Sequence, residues 1–94
     1  MGKAEYKVEG GKLVKAQVAM DGDKIRKVKI TGDFFLHPEE VLEELEEALV
    51  GSLLDESSLA RLIKGVASRK NATLLGVSPE DFAKCIVMAG KSDG

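Results

Sequence analysis

The chain has one cysteine, one histidine, two prolines and no tryptophan in 94 residues. A single cysteine excludes an internal disulfide and any multi-cysteine zinc site. A single histidine excludes a His-rich metal centre. Aromatic residues make up 4% of the chain, too few for the stacking surfaces on which RNA and single-strand binders lay bases. No run of 18 apolar residues occurs, so there is no candidate membrane helix. Lys3, Glu5, Lys7, Glu9, Lys12 and Lys15 interrupt the first twenty residues and leave no signal-peptide stretch. Gly10-Gly11 and Gly22 are too sparse for a phosphate-cradling loop. These shortages lead us to expect a reducing, cytoplasmic home, no nucleic-acid or membrane partner, and little material for catalysis.

What is present is globular. Hydrophobic residues are 44% of the chain and charged residues 32%. A chain of this length buries roughly 60–65% of its unfolded surface, enough for one modest core. We expect a single domain over 1–94, its core spanning about 6–90 and its last residues, 91–94, a disordered tail. The net charge of −2 conceals an asymmetry. Residues 1–30 hold eight basic and four acidic side chains, 31–56 nine acidic and no basic ones, and 57–94 six basic and three acidic ones. Such a dipolar surface either orients a partner or simply solvates a sheet and a helix.

The first third alternates as strands do. Tyr6-Lys7-Val8 stops at Gly10-Gly11, and Val14, Ala16, Val18 and Met20 fall at every second position. Asp21-Gly22 marks a hairpin turn, because glycine accepts a positive φ. The return strand carries Val28 and Ile30 inward and ends at Gly32. Ile25 is out of phase with Val28, which predicts a bulge or a strand start there.

The remainder has helical spacing. Pro38 suits a first helical position, and Glu39 and Glu40 suit the positive end of the dipole. Val41, Leu42, Leu45, Ala48 and Leu49 make one stripe, with glutamates opposite and Gly51 beyond the end. A second helix starts near Asp55 or Ser57 and shows Leu59, Leu62, Ile63 and Val66 on one face. A third opens on Ser78-Pro79-Glu80-Asp81 and aligns Phe82, Cys85, Ile86 and Ala89. Strands first and helices after give an α+β fold: an antiparallel sheet of about three strands, covered on one face by about three helices.

Few residues are candidates for chemistry. Cys85, the one possible nucleophile, lies on the apolar stripe of the last helix, where a structural thiol is expected. His37 sits at a helix start and lacks an obvious nucleophile, with Asp33 four residues back. The six glutamates between Glu39 and Glu47 lack the alternating pattern of an ion-binding loop and read as a solvated face. Lys12, Lys15, Lys24, Arg26, Lys27 and Lys29 make the hairpin basic. Gly32-Asp33-Phe34-Phe35 is what composition does not explain, since two of three phenylalanines stand together at a strand end. Either both plug the gap between sheet and helices or one anchors a partner.

The segments Gly10-Gly11-Lys12-Leu13-Val14, the Asp21-Gly22 hairpin and Ile30-Thr31-Gly32-Asp33-Phe34-Phe35 follow in that order. Pro38-Glu39-Glu40 with the helix through Gly51, and Leu75-Gly76-Val77-Ser78-Pro79-Glu80-Asp81-Phe82, come after them. Together they resemble the C-terminal accessory domain of lipoate–protein ligases over about residues 6–90. In most bacterial members that domain follows a large catalytic domain. In 94 residues there is no room for both, so the resemblance is to the separate small subunit of a bipartite, archaeal-type ligase. It implies a non-catalytic partner in a heterodimer. The large subunit then holds lipoate, ATP and Mg2+, forms lipoyl-adenylate, and transfers the lipoyl group to carrier domains of 2-oxoacid dehydrogenases or the glycine cleavage protein. On this reading no residue here is catalytic, and Gly32, Asp33, Phe34 and Phe35 belong to the subunit interface. The alternatives are a small nucleic-acid-binding domain and a sulfur-relay or iron–sulfur scaffold module. The relay needs an exposed cysteine.

Overall fold

The computed structural model describes residues 1–93. Period-two alternation produces three strands, β1 (Gly2–Lys7), β2 (Leu13–Asp21) and β3 (Lys24–Gly32). They form one antiparallel sheet in the order β1-β2-β3, with β2 central. Val14, Ala16 and Val18 of β2 are buried, whereas Lys15 and Gln17 between them are exposed. The hairpin pairs Asp21 with Lys24, and Gly22 turns the chain at a φ of +61°. The expected irregularity is a bulge. Ala19 faces Lys27 and Met20 faces Ile25, so Arg26 is the extra residue. The slip returns Ile25 to the buried face with Val28 and Ile30.

A short second ribbon, absent from the sequence reading, pairs β4 (Phe35–His37) antiparallel with β5 (Thr73–Leu75). Helix α1 (Glu40–Leu49) follows β4, α2 (Glu56–Arg69) precedes β5, and α3 (Pro79–Lys91) closes the fold. α1 starts two residues after Pro38, not on it, because Pro38 and Glu39 form a turn between β4 and the helix. The Pro38 carbonyl accepts from Val41 N–H at 3.1 Å in the preceding turn. Asp55 caps α2 by accepting from Ser58 N–H at 3.0 Å. Ser78 and Asp81 cap each other's backbone at the start of α3, with Pro79 in the first turn.

One face of the sheet takes the helices. α3 packs on β1 and β2, α1 on β3, and α2 on α1 and α3. Phe82, Leu45, Leu49, Ile63, Ile86 and Cys85 fill the layer between. One helical glutamate departs from the solvated face expected of it. Glu46 Oε2 accepts from Ile30 N–H at 2.7 Å and so closes the outer edge of β3. The segment beyond α1 continues that edge, with Ile25 N–H donating to the Ser52 carbonyl and Gly51 N–H to the Ile25 carbonyl. The end of the chain is also engaged. Lys91 is helical, and Asp93 accepts from Met20 N–H at 2.7 Å and lies 3.1 Å from the Met1 ammonium. Gly94, the remainder of the expected tail, is outside the described residues.

Glu46→Ala strands a donor on a residue that is 1% exposed and is expected to cost about 1–3 kcal/mol, read from urea denaturation midpoints. Asp93 carries a pH signature. Its bond from Met20 N–H, then the amino terminus, hold its carboxyl below the usual carboxylate value. A depressed folded value means that this stabilisation is complete above about pH 4 and is lost as pH falls through the folded value. The midpoint gap between wild type and Asp93→Asn is therefore expected to be constant near neutrality and to close in acid.

Candidate functional site

Gly32-Asp33-Phe34-Phe35 links the two sheets, and its residues separate into different roles. Gly32 has a φ of +153°, and a Cβ there would collide with the Leu13 carbonyl and stand 2.9 Å from the Phe34 ring. Only glycine fits that approach. Asp33 bonds a backbone N–H, as its type suggests, but on another strand. Its Oδ1 accepts from Leu13 N–H at 2.7 Å, and its own N–H donates to the Leu13 carbonyl at 3.2 Å. The pair clamps the exit of β3 to the start of β2. Phe34 then turns inward, half-buried, edge-on to Phe82 with ring centroids 4.9 Å apart and planes at 78°. Phe35 turns outward and is 51% exposed.

The ribbon adds neighbours to Phe35. Residues two apart on a strand share a face, and the His37 ring lies nearly parallel to that of Phe35, at 6.3 Å and 12°. Across the ribbon Leu75 is Phe35's partner and is 57% exposed. Leu36, between them, is buried. Phe35, His37 and Leu75 thus make an outward apolar face. It borders a groove of about 420 Å3 whose walls include Thr31, Glu39 and Leu42. Large exposed apolar side chains standing together mark a docking surface. The sequence reading reached Phe34 and Phe35 but not Leu75 or the stacked His37. The signal was faint: an apolar Leu74-Leu75 pair ahead of Gly76.

The other candidates are placed elsewhere. Asp33 is committed to Leu13 and does not orient His37. Cys85 is 0% exposed, and its Sγ donates to the Ala4 and Val14 carbonyls at 3.6 Å each. Burial, and then the negative charge of Glu5, push its thiol up to about 11. So enclosed, the thiol lacks the accessible, electropositive setting of reactive cysteines. Lys15, Lys27 and Lys29 are exposed on the sheet side opposite the buried stripe, while Lys24 and Arg26 flank the hairpin end. Among the described residues, no group of three or more His, Cys, Asp or Glu is placed to hold a metal ion. No helix among them is long and apolar enough to cross a membrane.

Comparison with known proteins gives this surface a context. Residues 3–86 match the family described as bacterial lipoate protein ligase C-terminus. Subunit 2 of the lipoate-protein ligase A of Thermoplasma acidophilum is 32% identical over 74 residues, covering 79% of this chain and 76% of that subunit. A chain of the solved archaeal lipoylation system of that organism, a bi-partite lipoate protein ligase and its E2 lipoyl domain, superposes with a TM-score of 0.75 at 30% identity. That superposition covers 89% of this chain and 91% of the other. A match over nearly all of the sheet and helices, carrying the Gly32–Phe35 link with it, places the chain in the lipoate–protein ligase C-terminal family.

Proposed function

We propose that this chain is the non-catalytic accessory subunit of a two-part lipoate–protein ligase, and that it docks on the catalytic subunit through the Phe35–His37–Leu75 face. The observation that carries the reading is this face: two large apolar side chains more than half exposed, side by side on a rigid ribbon. Its nearness to a groove suits an inserted partner side chain. The kinship to subunit 2 of a bipartite ligase supplies the partner class.

The chemistry belongs to the larger partner. Activating a carboxylate with ATP needs the carboxylate and α-phosphate held in line with their charge neutralised. This chain offers neither a glycine-rich phosphate loop nor, among the described residues, a cluster of metal-ligating side chains. On this reading lipoate, ATP and Mg2+ are held by the catalytic subunit. A partner without reactive groups raises the rate by binding the closed, competent state more tightly than the open one. The adenylate then passes its lipoyl group to a lysine of a carrier domain, of which the E2 lipoyl domain of the related system is an example.

Phe35→Ala is expected to weaken the heterodimer at least about 30-fold by calorimetric titration, equivalent to a hot spot of about 2 kcal/mol, with little change in stability. Phe34→Ala instead removes the ring against Phe82 and lowers the denaturation midpoint. Equal lipoyl-adenylate formation by the catalytic subunit with and without this chain would end the reading. In the native heterodimer Cys85 is expected to resist maleimide labelling until denaturant is added. Rapid labelling with the fold intact would favour a sulfur-relay role.

A further inference from the structure

The sheet's second face is uncovered, and its composition is unlike the rest of the chain. Lys3, Glu5 and Lys7 of β1, Lys15 and Gln17 of β2, and Lys27, Lys29 and Thr31 of β3 are all exposed. Five lysines less one glutamate give this face +4, on a chain whose total is −2. The register arranges them in rows. Lys29, Gln17 and Lys3 stand side by side across the strands, and Thr31, Lys15 and Glu5 form the next row. Lys15 pairs with Glu5 at 3.3 Å. Among the described residues Lys3, Lys7, Lys27 and Lys29 have no ion pair.

We propose that this open sheet face receives the acyl-accepting carrier domain, through an acidic patch on that domain. The proposal rests on the accessory-subunit reading above. Three physical features select this occupant. A face dominated by lysine is a poor permanent interface, because lysine is depleted from the cores of stable contacts. It is a good surface for a partner that must arrive quickly, orient and leave each turnover, since complementary charge acts on encounter rate and specificity. Nucleic acid would seek a ring to stack on, and Tyr6 points instead to the helix side, where Lys84 Nζ stands 4.9 Å from its centroid. Position agrees as well. A shallow concavity of about 610 Å3 on this face shares Thr31 with the aromatic groove. A carrier held there lies beside the junction assigned to the catalytic subunit.

The test uses the heterodimer carrying Lys3→Glu and Lys29→Glu, with carrier varied at saturating lipoate and ATP and at two salt concentrations. Lipoyl-adenylate formation without carrier is followed in parallel and reports that subunit assembly and fold are intact. The expected result is a KM for carrier raised about tenfold, equivalent to about 1.4 kcal/mol, with adenylate formation unchanged. The wild-type KM should rise with salt and the variant's should not, and Lys3→Arg with Lys29→Arg should behave as wild type. An unchanged carrier KM overturns the proposal. So does loss of the heterodimer in the charge-reversed variant, which assigns the face to the subunit junction. Binding of a short single-stranded oligonucleotide by the wild-type heterodimer at physiological salt, with carrier KM unaffected, overturns it in favour of nucleic acid. If adenylate forms equally well without this chain, the accessory reading itself fails, whatever the carrier KM shows.

Discussion

The register of the central strand decides what each side of this protein is. Val14, Ala16 and Val18 lie on one face of β2, and Lys15 and Gln17 on the other. Both neighbours are paired so that their own alternation agrees with it. A slip of one residue would exchange the two faces, exposing the valines and burying lysines. Two devices prevent the slip. The bulge at Arg26 absorbs the one place where β3 is out of phase, and the Asp33–Leu13 clamp ties the far end of the ladder.

That register reaches the two proposed docking surfaces through a short covalent path. Gly32 permits the close approach, Asp33 fixes the exit, and alternation after it sends Phe34 inward to Phe82 and Phe35 outward. One aromatic therefore packs against the core and its neighbour is left exposed. The same alternation leaves the lysine face open on the other side of the sheet. Exposed aromatic and basic face are thus two consequences of a single pairing pattern. They suit different lifetimes of contact: desolvated aromatics for a lasting partner, solvated charge for a passing one.

Capping and edge closure complete the arrangement. The acidic run that composition presents as solvated face also holds Glu46, whose carboxylate occupies an N–H that β3 would otherwise leave unpaired. Edges with free donors invite unwanted pairing, and covering them with a helix is one of the ways to prevent it. Asp93 does similar work at Met20, joining the end of the chain to the central strand.

Much of this was legible beforehand for reasons of range. Strand alternation, the Asp21-Gly22 turn, the Ile25 phase error and the Ser78 cap depend on neighbours a few residues apart, so the amino-acid order alone determined them. The family resemblance was legible too, because it rests on ordered motifs. The β4–β5 ribbon was not, since it joins segments nearly forty residues apart and each strand has three residues, too few for a period to show. The start of α1 shifted as well, because a turn at Pro38-Glu39 comes between β4 and the helix. Which phenylalanine faces solvent, which glutamate meets a backbone donor and which lysines share a face were decided by tertiary structure. Each depends on a contact partner that only the folded chain brings within reach.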